Sequence, residues 1–164
     1  MEQMAKTMDQ AAKAAAKQEG KYLTFSLVGE RYGINILKVK GKMTVLIVED
    51  HEGLRLLLSG MVSEHFSEWD CLEARDGEEA VATASIHLPD IVLMDIGLPK
   101  MNGIEATRRI KEAVPKARVV MVTSHEAPEY EKAAMLAGAS AYVLKDRMNS
   151  ELIPVVAKLF SQTQ

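Results

Sequence analysis

The most constraining feature of the sequence is a regular alternation, from residue 43 onward, of short apolar runs with segments of helical apolar spacing. The predicted strands are 43–49, 69–75, 90–95, 117–123 and 140–145, and the predicted helices are 51–66, 77–87, 103–114, 128–138 and 150–160. Continuously apolar strands that alternate with helices are typical of a parallel sheet covered on both faces. We therefore predict an α/β three-layer sandwich around a five-stranded parallel sheet.

The apolar spacing also predicts which side of a helix is buried. The buried face of the first helix is expected to hold Leu54, Leu57, Leu58, Met61 and Val62. In the last helix, Pro154 is expected near the first turn.

Length and composition limit the classes of protein to consider. A chain of 164 residues suits one domain plus a modest extension, and a net charge of -3 does not favour a nucleic-acid surface. Cys71 is the single cysteine, which excludes an intramolecular disulfide and fits a reducing cytoplasm. No apolar run approaches the roughly 20 residues of a membrane span, and no secretory signal is apparent. We expect a cytoplasmic protein.

The first 42 residues differ in character from the rest. Residues 1–20 are rich in helix-forming Ala, Lys, Gln and Met, and predict a helical tail that is either solvated or a docking helix. Residues 21–40 alternate apolar and polar side chains on both sides of a turn predicted at 28–31, which indicates a β-hairpin. Gly41 and Lys42 form a short joint.

The hairpin segment resembles the start of the CheW-like chemotaxis coupling family. The residues that carry the resemblance are "KYLTFSL" and "ERYGINILKV", within 21–39, and the remainder of such a domain is absent. The chain is therefore interpreted as a fusion, natural or built, of a tail (1–20), a CheW-like fragment with its joint (21–42) and a third part (43–164). Open strand edges in the fragment predict a homo-oligomer.

Polar residues stand where the predicted strands end. Glu49 and Asp50 end the first strand, Asp95 the third, Thr123 the fourth and Lys145 the fifth. The carboxyl ends of parallel strands meet at one edge, so we expect these side chains together, with Asp95 facing solvent and a cation. Crowded carboxylates stay ionised only beside a cation, and Mg²⁺ prefers oxygen ligands.

This set of residues predicts phosphoryl chemistry. A carboxylate beside Mg²⁺ can attack a phosphoryl group and become an aspartyl phosphate. Lys145 is the candidate cation for one phosphoryl oxygen, and Thr123 is the candidate hydroxyl for another.

Four segments resemble the receiver domain of response regulators: "VLIVEDHEGLR", "IVLMDIGLPKMNGIEATRRIK", "VVMVTS" and "GASAYVLKD". The resemblance implies a flavodoxin-like (βα)5 fold. It implies that a histidine kinase phosphorylates Asp95 and that the domain is a switch, not a turnover enzyme. The implied Mg²⁺ ligands are Asp50, Asp95 and the Gly97 backbone carbonyl, with Glu49 as a supporting acid. The implied switch pair is Thr123 and Lys145, with Tyr142 as the coupled aromatic residue.

Within this family, the segments "DIGLPKMNGIEATRRIK" and "SAYVLKD" resemble the NarL-like branch most. Members of that branch continue into a DNA-binding helix-turn-helix. This chain stops at Gln164, so we expect no DNA binding and instead an unidentified protein partner. The resemblance implies an output face on the fourth helix, fifth strand and fifth helix. His125, two residues after Thr123, is hypothesised to tune hydrolysis of the phosphate.

Other functions compete with the switch. The hairpin motivates an assembly scaffold in which oligomerisation matters and phosphorylation is vestigial. A phosphatase with an aspartyl nucleophile usually has a second acid two residues later, where this chain has Gly97. A flavin carrier would need a hydroxyl-rich phosphate loop, and the acidic "EDHEG" repels phosphate unless a metal intervenes.

Overall fold

The structure is a computed structural model that describes the backbone of residues 23–27 and 30–34 and all of residues 41–161. Contacts within the chain divide it between Lys42 and Met43, and the two parts are described separately. The helix predicted for 1–20 lies outside the described residues.

The first part contains two paired strands, β1 (Leu23–Leu27) and β2 (Glu30–Ile34), which run antiparallel. The register pairs Leu27 with Glu30, so only two residues connect the strands. The prediction that the turn extends to Arg31 was therefore wrong, because Glu30 and Arg31 already pair with β1.

The second part alternates strands and helices. Its strands are β3 (Thr44–Val48), β4 (Asp70–Ala74), β5 (Ile91–Met94), β6 (Arg118–Thr123) and β7 (Ala141–Leu144). Its helices are α1 (Glu52–His65), α2 (Gly77–His87), α3 (Gly103–Ala113), α4 (Pro128–Leu136) and α5 (Met148–Ser161). A short 3-10 turn, Lys145–Arg147, precedes α5. Among the described helices, none has the length and apolar character needed to cross a bilayer.

The sheet has the strand order β4-β3-β5-β6-β7, and every neighbouring pair is parallel. This is the flavodoxin-like order, in which the chain winds outward in both directions from β3. The predicted α/β fold with five parallel strands and five helices is confirmed.

Two apolar cores lie on opposite faces of the sheet. Along β3, Val45 and Ile47 join the core formed with α1 and α5, whereas Leu46 and Val48 join the core formed with α2, α3 and α4. Successive strand residues point to opposite faces, which explains why the interior strands are apolar without interruption.

Two helix predictions were wrong in detail. Leu57, predicted to be buried, is 48% exposed, and the buried positions of α1 are Arg55, Leu58 and Val62. Arg55 can be buried because it has an acidic partner on β4. The helix α5 begins at Met148, directly after the 3-10 turn, so Pro154 lies inside the helix and not near its first turn.

The N-terminus of α2 is closed by a capping box. Asp76 Oδ1 accepts a hydrogen bond from the backbone N–H of Glu79 at 2.8 Å, and the Glu79 carboxylate accepts one from the N–H of Arg75. Lys100, on the loop after β5, lies 3.4 Å from Asp76 Oδ2. The N–H of Glu79, with the charge of Lys100 as a smaller cause, lowers the pKa of Asp76 below its usual range.

Candidate functional site

Three acidic residues meet at the carboxyl edge of the sheet. Glu49 and Asp95 directly follow β3 and β5, and their backbone N–H groups continue the ladder by donating to Ala74 O and Val48 O, each at 3.1 Å. A carboxylate oxygen from each of Glu49, Asp50 and Asp95 lies within 4.8 Å of the others. The predicted acidic cluster is therefore present.

The three carboxylates differ in exposure. Asp50 is exposed, whereas Glu49 is 1% exposed and Asp95 5% exposed. Asp95 is at the end of its strand as predicted, but the expectation that it faces solvent was wrong. The side chain of Lys145 and the backbone N–H of Gly97 both contact its carboxylate.

Lys145 lies between the two buried carboxylates. Its Nζ is 2.9 Å from Glu49 Oε2 and 3.0 Å from Asp95 Oδ2. Burial raises the pKa of Glu49, and contact with Lys145 opposes this rise. Burial lowers the pKa of Lys145, but its two carboxylate partners outweigh that effect and the net pKa is raised. Lys145 is therefore held in its charged form.

The donor set fits a divalent cation. It offers carboxylate oxygens alone, the ligands that Mg²⁺ prefers, and one lysine offsets only part of the negative charge. Among the residues that the structure describes, the buried Glu49 Oε2 accepts no well-directed hydrogen bond, although Lys145 lies close enough for an ion pair. Gly97 donates its N–H to Asp95 Oδ1 at 3.4 Å, and its carbonyl as a metal ligand stays a prediction.

Thr123 and Tyr142 are linked through His125. Thr123 ends β6, is fully buried, and has its Oγ1 2.9 Å from His125 Nδ1. The backbone N–H of His125 donates to the same Oγ1 at 3.3 Å. Tyr142 donates its hydroxyl to the backbone carbonyl of His125 at 2.7 Å. Thr123 of the predicted switch pair and the predicted coupled aromatic Tyr142 therefore contact one shared residue.

Gly103 fixes the start of α3 beneath Asp95. A Cβ at this position would overlap the backbone carbonyl oxygen of Asp95, so only glycine permits this close approach. Its N–H donates to Ile96 O at 2.9 Å. Asn102 caps the helix by accepting from the N–H groups of Ile104 and Glu105.

Arg55 is a residue that the sequence reasoning missed. It is 4% exposed, its Nη1 donates to the backbone carbonyl of Glu49 at 3.0 Å, and its Nε pairs with Glu73 Oε2 at 3.2 Å. The signal that was available is its spacing, because Arg55 stands three residues before Leu58 on the buried stripe. A guanidinium therefore supports the backbone of the acidic turn.

The fold and the site define a class: flavodoxin-like α/β domains with an acidic cluster, a lysine and a threonine at the carboxyl edge of the sheet. The family model described as the response regulator receiver domain matches residues 45–157. The chain belongs to the response regulator receiver family.

Relatives of known sequence agree with this assignment. The chemotaxis protein CheY of Halobacterium salinarum is 38% identical over 117 residues, covering 71% of this chain and 96% of that protein. The uncharacterized transcriptional regulatory protein YxjL of Bacillus subtilis is 34% identical over 121 residues, covering 71% of this chain and 54% of that protein. The chain thus spans about half the length of the transcriptional regulators that it matches.

Solved structures share the fold. A LuxR-family response regulator from Aurantimonas sp. superposes with a TM-score of 0.67 at 33% identity, covering 74% of this chain and 87% of that one. CheY in the CheX-CheY-BeF3-Mg²⁺ complex from Borrelia burgdorferi gives a TM-score of 0.67 at 30% identity, covering 72% and 89%.

The comparisons assign the chain to two-component signal transduction. They do not favour the alternative of an assembly scaffold with vestigial phosphorylation. The region matched by the family model begins at residue 45, and the CheW-like interpretation of 21–39 gains no support from the comparisons.

Proposed function

We propose that this chain is a phosphorylation switch in which Asp95 accepts a phosphoryl group from a histidine kinase. In this step an Asp95 carboxylate oxygen bonds to phosphorus as the bond between phosphorus and the kinase histidine nitrogen breaks. The observation that carries the proposal is the position of Asp95, whose carboxylate lies 3.0 Å from Lys145 Nζ and within 4.8 Å of two further acids.

We assign Asp50, Asp95 and the Gly97 carbonyl to Mg²⁺, with Glu49 as the supporting acid. The cation would offset the negative charge that accumulates when a phosphoryl group approaches three carboxylates. The Borrelia burgdorferi relative supports this assignment, since its structure is of a complex that includes BeF3 and Mg²⁺.

Lys145 and Thr123 are assigned to the phosphoryl oxygens. Lys145 already contacts Asp95, so its ammonium is in place to bond an oxygen attached there. Thr123 bonds the phosphoryl group in only one arrangement of β6 and the following loop, so phosphorylation shifts the population toward that arrangement. Tyr142 reports the change to the proposed output face on α4, β7 and α5.

The proposed role is that of a switch acting on a protein partner in the cytoplasm, not of a turnover enzyme. Homo-oligomerisation through the N-terminal part is a further proposal, supported by the two outer edges of the β1-β2 pair, which have no third strand among the described residues. Light scattering that gives a monomer mass would contradict it.

The prediction that His125 tunes phosphate hydrolysis is tested by the dephosphorylation half-life of a His125 variant.

The test is phosphorylation by acetyl phosphate with and without Mg²⁺, followed by intact mass. We expect a gain of one phosphoryl group that requires Mg²⁺, is absent in Asp95→Asn, and is retained in Asp146→Asn, which removes an exposed carboxylate after β7. A folded wild-type protein that gains no phosphoryl group, or an Asp95→Asn variant that still gains one, would contradict the proposal.

A further inference from the structure

We propose that His125 is a latch that holds the Thr123 hydroxyl in the unphosphorylated state and must release it before Thr123 can bond a phosphoryl oxygen. This inference rests on the proposed function and adds a residue that opposes activation. It follows from hydrogen bonding around one buried oxygen atom.

Among the residues that the structure describes, Thr123 Oγ1 has two hydrogen-bond partners, both from His125. The backbone N–H of His125 donates to the oxygen at 3.3 Å, and the His125 ring nitrogen Nδ1 lies 2.9 Å away. A threonine hydroxyl has one proton and a neutral imidazole has one unprotonated nitrogen. Oγ1 can accept two hydrogen bonds, so the backbone N–H does not fix the direction of the contact with the ring. The proposed latch assigns the hydroxyl proton to Nδ1 and the ring proton to Nε2.

The single hydroxyl proton of Thr123 can then be donated either to His125 Nδ1 or to a phosphoryl oxygen on Asp95, but not to both. A proton donated to Nδ1 is not available to a phosphoryl oxygen on Asp95, because Thr123 has no second donor on its side chain. Binding of Thr123 to the phosphoryl group therefore requires that the bond to His125 breaks. The latch stabilises the resting state relative to the active one.

His125 is contacted from two elements of the proposed output face, at its backbone carbonyl and at its ring. Tyr142, on β7, donates its hydroxyl to the His125 backbone carbonyl at 2.7 Å. The Tyr130 ring, on α4, lies with its centroid 4.5 Å from that of the His125 ring at a 60° tilt. Release of Thr123 frees the ring to leave its contact with Tyr130, and the same residue is bonded to Tyr142 through its backbone, so the latch connects the phosphoryl site to α4 and β7.

The experiment measures binding of beryllofluoride, a stand-in for the phosphoryl group, in the presence of Mg²⁺. His125→Phe keeps a flat ring against Tyr130 but removes the acceptor nitrogen. One neutral hydrogen bond corresponds to about two- to tenfold in an equilibrium constant. We expect His125→Phe to bind beryllofluoride about two- to tenfold more tightly than wild type.

A Thr123→Val background tests whether the effect of His125→Phe depends on the Thr123 hydroxyl. In Thr123→Val, which has no proton to donate, the additional His125→Phe change should leave beryllofluoride affinity unchanged. Equal affinities of wild type and His125→Phe would overturn the latch. An equal gain in the Thr123→Val background would also overturn it, because the gain would then not involve the hydroxyl.

Nitrogen NMR of the unphosphorylated protein tests the latch separately from the proposed function. A neutral His125 ring protonated on Nε2, with Nδ1 accepting, supports the latch, and a proton on Nδ1 overturns it. If wild type binds no beryllofluoride while NMR shows Nδ1 as the acceptor, the proposed phosphorylation has failed and the hydrogen bond itself stands.

Discussion

Lys145 Nζ lies 3.0 Å from Asp95 Oδ2, although the two residues are 50 positions apart in the chain. The contact exists because β5 and β7 both pair with β6 and end at the same edge of the sheet. Lys145 also lies 2.9 Å from Glu49, so a single ammonium contacts two buried carboxylates and offsets part of their charge.

Replacing Lys145 by methionine should make the fold dependent on Mg²⁺. Without the ammonium, Glu49 and Asp95 remain buried with no positive partner, and we expect a loss of about 1–3 kcal/mol in the free energy of unfolding in EDTA. Thermal unfolding with and without Mg²⁺ measures this, and the Mg²⁺-induced rise in Tm should be larger in Lys145→Met than in wild type. Lys116→Met, at an exposed position, is the matched control. A Mg²⁺ effect of the same size in wild type and Lys145→Met would contradict the prediction.

Arg55→Met should destabilise the domain by about 1–3 kcal/mol, because it leaves the Glu49 carbonyl and the Glu73 carboxylate without their guanidinium partner. Arg55→Lys should recover part of the loss, since lysine keeps the charge but not the two-sided geometry. Urea unfolding measures both variants, with the exposed Arg147→Met as the control. Equal stability of Arg55→Met and Arg147→Met would show that the buried contacts contribute nothing.

Two glycine-to-alanine substitutions should change the free energy of unfolding in opposite directions. Gly103→Ala forces a Cβ against the Asp95 carbonyl and should destabilise the domain by about 2 kcal/mol or more, the range for overpacking a closed site. Gly60→Ala, in the exposed middle of α1 with nothing within 4 Å of the new Cβ, should stabilise it by about 0.4–1 kcal/mol. Chemical denaturation of the pair checks the prediction, which fails if both changes have the same sign.

Asp76→Ala should cost about 1 kcal/mol near neutral pH through loss of the α2 cap. The pKa of Asp76 in the folded protein is below its usual 3.8, so its ionised form adds stability above that pH. The added stability disappears as the pH falls through the folded pKa. The difference in unfolding free energy from Asp76→Asn, which keeps an acceptor but no charge, should therefore shrink below about pH 3.8. A difference that is constant across that range would count against the ionic contribution.

The sequence predicted the layout of the second part because its periodicity is strong. The bounds predicted for α2 agree with the structure, and Glu49, Asp95 and Lys145 meet as expected. Strand ends are informative because a polar residue after an apolar run has one favourable location, the rim of the sheet.

Features that depend on partners distant in the chain were not predicted. Arg55 is polar by type yet buried, because Glu73 on β4 neutralises it. The burial of Asp95 depends on Lys145, which approaches from β7. The contact of His125 with Thr123 is local, but it depends on the path of the chain after β6, which apolar spacing does not encode.

The strand order has a consequence for biosynthesis. The acidic cluster comes from β3 and β5, but its lysine follows β7, the last strand of the sheet to leave the ribosome. Parallel pairing is non-local and forms slowly compared with helices. A nascent chain therefore carries uncompensated carboxylates until β7 docks beside β6, and completion of the sheet is the event that brings Lys145 to Glu49 and Asp95.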